Sequence, residues 1–412
     1  MAEWEYRPVE ELVSSVSSGG TPRVGDSRYY TESGVPFLKI DDITKSRGRF
    51  VDKAEQSITR RALEETAAKV FPAGTVLVTM YGTMGVIKTL RSPMATNQAI
   101  AALVPPFQCD PNYLALALSF RRAGLERLAA QTTQPNISGT IIRRFQIPVP
   151  RLDEQQRISE ILDTVDETIQ AIERVVSKQA KVRAGLAATL FPGGSEGVLS
   201  DEGKANGRQP TSILTRTAGR SAVRDVGFAS VPFSEVADFI NGYGFGPADW
   251  GKSGLPIIRI QQLLNPDVAA DLYGGSLDSR YRIDTGDIVM SWSGTIAVVE
   301  WDRGPAWLNQ HLFRVDAKAG VEAAFLKHLL NSRLRHLEAA SHGTTMKHIK
   351  RGDLLKHEVL LPPLEEQRRI AAILDTIGDS IRANEQHCGK LRELRSGLAA
   401  DLLSGKTRTM AA

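Results

Sequence analysis

Residues 150–170 read PRLDEQQRISEILDTVDETIQ, and residues 362–382 read PPLEEQRRIAAILDTIGDSIR. The frame P-x-L-x-EQ-x-RI-x-x-ILDT recurs at a shift of 212 positions, and residues 150–190 match 362–402 at 20 of 41 positions. The same shift pairs Gly74-Thr75-Val76-Leu77-Val78 with Gly286-Asp287-Ile288-Val289-Met290, Gly82-Thr83 with Gly294-Thr295, and Asn97-Gln98 with Asn309-Gln310. Further upstream the shift becomes 220, aligning Gly34-Val35-Pro36-Phe37-Leu38-Lys39-Ile40 with Gly254-Leu255-Pro256-Ile257-Ile258-Arg259-Ile260. Eight residues of loop difference account for the change. Two copies are too few for a solenoid. The chain is therefore one unit written twice, each copy a globular head followed by a long helix.

Each helix begins just after a proline and carries Asp153-Glu154 or Glu365-Glu366 in its first turn, where the helix dipole favours acids. Ile158, Leu162, Val165, Ile169, Ile172 and Val176 follow at spacings of four and three, and Ile370, Leu374, Ile377, Ile381, Asn384, Cys388 and Leu391 repeat the alternation. That is a heptad seam. About 40 residues at roughly 1.5 Å each make a rod of about 60 Å. Such a helix either packs on its own head or takes a partner, and a seam of this length favours the partner. The expectation is that the two helices pair antiparallel, holding the heads at a fixed separation with near two-fold symmetry. Asn384, where the first helix has Ile172, then helps to fix register. Both helices next change phase together, to Val182-Leu186-Leu190 and Leu394-Leu398-Leu402, as a stammer does.

Within the heads, VPFLKI and LPIIRI are short apolar runs bounded by glycine and proline, the pattern of buried strands. AGTVLVTMYGT and TGDIVMSWSGT read as strands entering a glycine turn. YLALALSFRRAGLERLA and FLKHLLNSRLRHLEAA carry helical spacing late in each copy. The fold class is α+β: two similar, mixed, mainly β domains joined by two long helices that pair as an antiparallel coiled coil. In chain order the parts are a first head domain (1–149), a first helix (150–190), a linker (191–228), a second head domain (229–361), and a second helix with its tail (362–405). The linker holds seven glycines and little apolar periodicity, so it reads as a flexible surface segment.

A chain of 412 residues, 42% hydrophobic and 24% charged, has material for two or three real cores. No apolar stretch approaches bilayer length, and the start MAEWEYRPVEEL is too acidic for a signal peptide, so the cytoplasm is the default compartment and no membrane is expected. Cys109 and Cys388 are too few for a disulfide framework. The net charge of +4 permits a nucleic-acid partner without demanding one. Residues 1–150 hold 18 basic and 14 acidic side chains, and residues 229–362 hold 14 and 15. Neither head is a polybasic arm.

Catalytic patterns are missing. There is no H-E-x-x-H, G-x-S-x-G, P-loop or dinucleotide glycine fingerprint. Gly242-Tyr243-Gly244-Phe245-Gly246 has the wrong spacing and reads as a turn. All seven histidines follow residue 310, but His336, His342 and His348 are not spaced to share a metal. No catalytic, cofactor or metal residues are assigned.

The segments 147–169 and 361–381 resemble the duplicated conserved region of type I restriction-modification specificity subunits. The stretches 286–295 (GDIVMSWSGT) and 343–349 (GTTMKHI) are similar to that family's target-recognition domains, and the likeness spans the whole chain. It implies a non-catalytic subunit of a bacterial defence system that reads a bipartite, gapped sequence in double-stranded DNA. The implied partners are two adenine methyltransferase subunits using S-adenosylmethionine and a restriction (translocase–nuclease) subunit using ATP and Mg2+, with no cofactor in this chain. One departure stands out: the first copy has TTQPNISGTI (132–141) where the second has GTTMKHIKRG.

Bases are read at their edges by Arg, Lys, Asn and Gln, while phosphates take basic and hydroxyl groups. In the first head the candidates are Lys39, Arg47 and Arg49 after VPFLKI, Tyr81 and Thr83 on the GT turn, Lys88 beyond it, and Gln134, Asn136 and Arg143 or Arg144 near the departing loop. In the second they are Arg259, Gln261 and Gln262, then Trp292, Ser293 and Thr295, and the basic group Lys347, His348 and Lys350. Each alternatively reads as a solvated or turn-forming side chain, and Trp292 as half-buried packing. Asn97-Gln98 and Asn309-Gln310 recur at the repeat shift, which favours a structural role. A second class of function, a protein scaffold with two adaptor heads and no nucleic acid, also fits the modest charge.

Overall fold

A computed structural model of the chain describes residues 4–46, 48–130, 136–191, 228–340 and 351–409, apart from the side chains of 106 and 334–340. It divides into two compact units, Met1–Arg174 with Glu385–Ala412, and Val175–Asn384. The parts expected in chain order are thus regrouped in space. Each unit holds one head, the beginning of the helix that follows that head, and the end of the helix that follows the other.

The first head is built on two five-stranded sheets. One runs Val13–Ser18, Ile100–Phe107, Val76–Thr79, Ile87–Leu90, Phe50–Val51, and the other Tyr30–Thr31, Gln56–Ile58, Val35–Leu38, Met94–Thr96, Lys69–Phe71. In the second sheet Val35–Leu38 lies parallel to Met94–Thr96. The second head repeats this plan in two four-stranded sheets, and the corresponding pair is again parallel, Leu255–Ile258 with Ala306–Leu308. The apolar runs VPFLKI and LPIIRI form these strands but leave them at Lys39 and Arg259, where short helices start (Ile40–Lys45, Ile260–Leu264). The helical stretch 113–129 is two helices, Pro111–Phe120 and Arg122–Ala129, broken at Arg121, whereas its counterpart is the single helix Ala323–Ala340.

The repeated EQ dipeptide has a specific task. Gln155 is buried; its Nε2 donates to the Pro150 carbonyl (2.8 Å) and its Oε1 accepts from the Asp110 amide (2.7 Å) at the cap of the helix Pro111–Phe120. Gln367 repeats this with Pro362 (2.8 Å) and the Glu322 amide (2.8 Å) just before Ala323–Ala340. One carboxamide therefore ties the start of the long helix to the start of a head helix in both copies. The aspartate of ILDT adds a second tie: Asp163 pairs with Arg49 at 2.6 Å, and Asp375 pairs with His328 (2.9 Å) and Lys327 (3.2 Å).

The long helices span Leu152–Leu190 and Leu364–Leu403 and pair antiparallel inside each unit. In the first unit the Cys388 thiol lies against the Ile169 carbonyl (3.9 Å), Arg395 pairs with Asp166 (3.0 Å) and Arg392 with Glu173 (2.6 Å). In the second, Asn384 donates to Gln179 (3.3 Å), which donates to Ser380 (2.8 Å), a polar link suited to fixing register. Ile158, Leu162, Ile169, Ile370, Leu374 and Cys388 are buried, and Val165, Ile172, Val176, Ile377, Ile381, Asn384 and Leu391 are half-buried.

The shared phase change is not a stammer within the coil. Val182 and Leu394 are 55% and 53% exposed. Beyond them the helices turn a new face to a head: Leu398, Ala399, Leu402 and Leu403 join the core of the first, and Leu186, Ala187, Leu190 and Phe191 the core of the second. Phe191, assigned to the linker from composition, is a buried anchor against Phe325 (ring centroids 5.5 Å apart). The rest of the linker, 192–227, lies outside the described residues. At the far end, Arg408 forms a two-pronged pair with the buried Glu154 (2.7 and 2.8 Å) and lies over the Trp4 ring. No helix among the described residues is long and apolar enough to cross a membrane.

Two outcomes follow. Replacing Leu402 by Ala lowers the stability of the first unit by about 2–5 kcal/mol, and hydrogen exchange places the loss within residues 1–174; loss centred on 228–384 would contradict the arrangement. Burial holds the His328 imidazole below its ordinary value, against the opposing pull of Asp375 and with the positive charges of Lys327 and Arg183. The unfolded chain then binds the proton more readily, so stability falls as pH drops through about 6.5, the ordinary histidine value. Urea midpoints at pH 8 and 5.5 should show this fall in the second unit, and His328→Gln should reduce it.

Candidate nucleic-acid interface

In both heads the strand ends are gathered to one edge by backbone hydrogen bonds. In the first, the Asn97 amide donates to Leu38 (3.2 Å), Met80 to Ala99 (2.9 Å), and Ile137 to Met80 (3.0 Å). The end of VPFLKI, the GT turn and the segment beginning at Asn136 therefore meet. In the second, Asn309 donates to Ile258 (3.1 Å), Tyr243 to Leu308 (2.8 Å), Gln310 to Tyr243 (2.9 Å) and Trp292 to His311 (3.4 Å).

The GT turns are built alike from different residues. Buried Thr79 donates its hydroxyl to the Thr83 carbonyl (2.6 Å) and accepts from the Val86 amide (2.9 Å). Ser291 does the same with Thr295 (2.6 Å) and Ala297 (2.8 Å). Gly82 and Gly294 take φ of 63° and 65°, the left-handed region that glycine enters without strain. The recurrent asparagines cap the neighbouring turn, Asn97 Oδ1 accepting from the Ala99 amide (3.2 Å) and Asn309 Oδ1 from the His311 amide (3.4 Å).

The edge of the first head carries Lys39, Tyr81 (48% exposed), Thr83 and Asn136. That of the second carries Arg259, Trp292, Ser293 and Thr295, with Gln261 exposed on the adjoining short helix. Several of these groups already have work inside the protein. Arg259 pairs with Asp271 (2.6 Å) and lies over the Trp250 ring. Half-buried Trp292 donates to the Gln310 carbonyl (3.2 Å) and Asn241 (3.3 Å) and packs near Phe313. Ser293 is buried, 3.2 Å from the His311 ring nitrogen.

Three candidates are corrected by their surroundings. Lys88 is buried, its ammonium donating to the carbonyls of Ser46 (2.8 Å) and Gly48, and burial lowers its pKa. Arg49 is committed to Asp163 on the first long helix, with its side chain 11% exposed. Gln262 is buried as a cap, accepting from the Arg259 amide (3.2 Å) and donating to the Ala269 carbonyl (2.8 Å). In each case local pairing consumes the polar group that composition had offered to a ligand. Arg143 spends one N–H on the Val16 carbonyl (2.9 Å) and is otherwise exposed, so it stays among the presented groups. Arg47, Gln134, Lys347, His348 and Lys350 lie outside the described residues.

The sequence reading also missed a feature. Gly-Tyr-Gly-Phe-Gly, taken for a plain turn, places Tyr243 and Phe245 in a row of edge-to-face rings, Tyr281, Tyr243, Phe245, Tyr273 and Trp307, at centroid spacings of 5.0–6.2 Å. The alternation of glycine with aromatics was the available signal. Among the described residues no group of three His, Cys, Asp or Glu is placed to hold a metal. A hollow of about 220 Å³ lined by Val24, Asp26, Tyr30, Lys39 and Gln56 is small beside ligand pockets of about 300–1,000 Å³.

Arg49→Ala and Lys88→Met should each lower the stability of the first unit by about 1–3 kcal/mol, while Tyr81→Ala should stay within about 0.5 kcal/mol. Denaturant titration checks both, and equal losses at all three positions would contradict the division between structural and presented groups.

The comparisons with known proteins agree with this architecture. The family described as the type I restriction modification DNA specificity domain matches residues 1–180 and again 226–392. The MjaIX type I restriction enzyme specificity subunit of Methanocaldococcus jannaschii is 21% identical, over 98% of this chain and 94% of its own. The type I system S subunit of M. genitalium has the same fold, with a TM-score of 0.60 at 14% identity, covering 97% of this chain and 96% of that one. A chain from a study of complex assembly and conformational transition in the type I R-M system gives 0.54 at 17% identity, over 99% of both. With both halves matched, the chain belongs to the type I restriction-modification DNA specificity family.

Proposed function

We propose that this chain is the DNA-reading subunit of a type I restriction-modification complex, each head binding one half of a gapped target. The observation that carries the reading is the doubled edge. Both heads gather equivalent strand ends and share two of the bonds that do so, Asn97–Leu38 and Met80–Ala99 in the first matching Asn309–Ile258 and Trp292–His311 in the second, yet present different side chains there: Lys39 and Tyr81 in one, Arg259 and Trp292 in the other. Similar frames with different faces suit two readers of different sequences. The subunit performs no chemistry itself. Two methyltransferase subunits using S-adenosylmethionine, and restriction subunits using ATP and Mg2+, supply modification and cleavage in the cytoplasm. The paired helices set the gap between the half-sites.

Two experiments test this reading. Binding to random duplex DNA, with the partner methyltransferase present, should weaken with salt at a log–log slope steeper than about −3, as the release of several counterions requires. No binding even at low salt would favour a protein scaffold. Inserting one heptad into both long helices should lengthen the gap and leave each half-site unchanged; altered base preference within a half-site would contradict the helices' role.

A further inference from the structure

Gln98 and Gln310 follow the capping asparagines at the tips of equivalent turns, and both are exposed. What lies beneath them is equivalent too, although the sequence does not align it. A Cβ on Gly19 would stand 1.9 Å from the Thr96 carbonyl oxygen, and one on Gly242 would stand 2.4 Å from the Leu308 carbonyl oxygen. Thr96 and Leu308 are partners under the 212-residue repeat. Gly19-Gly20-Thr21 and Gly242-Tyr243-Gly244 thus occupy the same place in the two heads, which sets Thr21 beside Gln98 and Gly244 beside Gln310.

The two carboxamides are held differently as a result. The Thr21 hydroxyl donates to Gln98 Oε1 at 2.5 Å. At Gly244 there is no side chain to do so, and a Cβ there would stand 2.8 Å from Gln310 Oε1, so the amide lies on bare backbone. The Gln310 main chain is fixed on both sides, its amide donating to Tyr243 (2.9 Å) and its carbonyl accepting from Trp292 (3.2 Å).

We propose that Gln98 and Gln310 are base-reading side chains of their heads, and that residues 21 and 244 determine what each one reads. The proposal rests on the DNA-reading function proposed above. An amide whose oxygen already accepts from a hydroxyl keeps both N–H donors uncommitted, and these match the acceptors N7 and O6 of guanine or O4 of thymine. An amide free to offer oxygen and nitrogen together matches N6 and N7 of adenine in a two-point contact. The same residue type at the same position therefore reads different bases in the two heads. The recurrence of glutamine is then compatible with two different half-sites.

The test is selection from a randomised duplex library by the full chain with its methyltransferase partner. Gln98→Ala and Gln310→Ala should each relax one base pair of one half-site by about 10- to 100-fold, with the other half-site and the melting temperature unchanged. Gln98→Glu should move that position towards cytosine, whose amino group a carboxylate accepts from, and Thr21→Gly should move it towards adenine. Folded variants that keep every preference, or that weaken all sequences equally as a phosphate contact does, would overturn the proposal while a gapped wild-type motif upheld the function. A wild-type chain that selects no motif would overturn both.

Discussion

Each head of this protein is completed by the end of a helix that belongs to the other repeat. Leu402 and Leu403 close the first core, and Leu190 and Phe191 close the second, so neither core is full without residues distant in sequence. For the first head the missing piece comes from the last part of the chain, reached only after the whole second head has been synthesised. This is costly in loop entropy, which the burial of several large apolar groups must offset. The Arg408–Glu154 pair over Trp4 adds a charged clasp at the same place.

The rest of the repeated frame serves that closure. Gln155 and Gln367 satisfy the backbone groups where a head helix begins and a long helix begins, so these two directions are set together. Buried amides that lost such partners would carry a penalty of about 1–3 kcal/mol. The aspartate of ILDT then pins the next turns of the long helix, though to different elements, Arg49 in one unit and Lys327 with His328 in the other. The helix side of the tie is repeated faithfully, and the head side has diverged.

The sequence made the large features legible because they are periodic. The repeat shift, the seam of Ile158 through Val176, and the strands VPFLKI and LPIIRI are signals of spacing, and spacing survives without coordinates. The phase change at Val182 and Leu394 was equally visible but misread, since a change of face does not say whether the next partner is a helix or a head. The site was the least legible part. Lys88, Arg49 and Gln262 look like ligand groups by type, and only three-dimensional pairing shows them bound to Ser46, Asp163 and Ala269. Conversely, the match of Gly19 with Gly242 rests on a close backbone approach, which leaves no sequence pattern beyond glycine itself.

The near-neutral heads fit a reader that discriminates by local geometry more than by bulk charge, because phosphate contacts hold DNA without distinguishing its sequence. The most direct measurement is a map of modified adenines in a host without adenine methylation, expressing the partner methyltransferase subunit with and without this chain. A two-part motif with a fixed gap that disappears when the chain is omitted is the expected result. The same methylation pattern in its absence would contradict DNA reading by this chain.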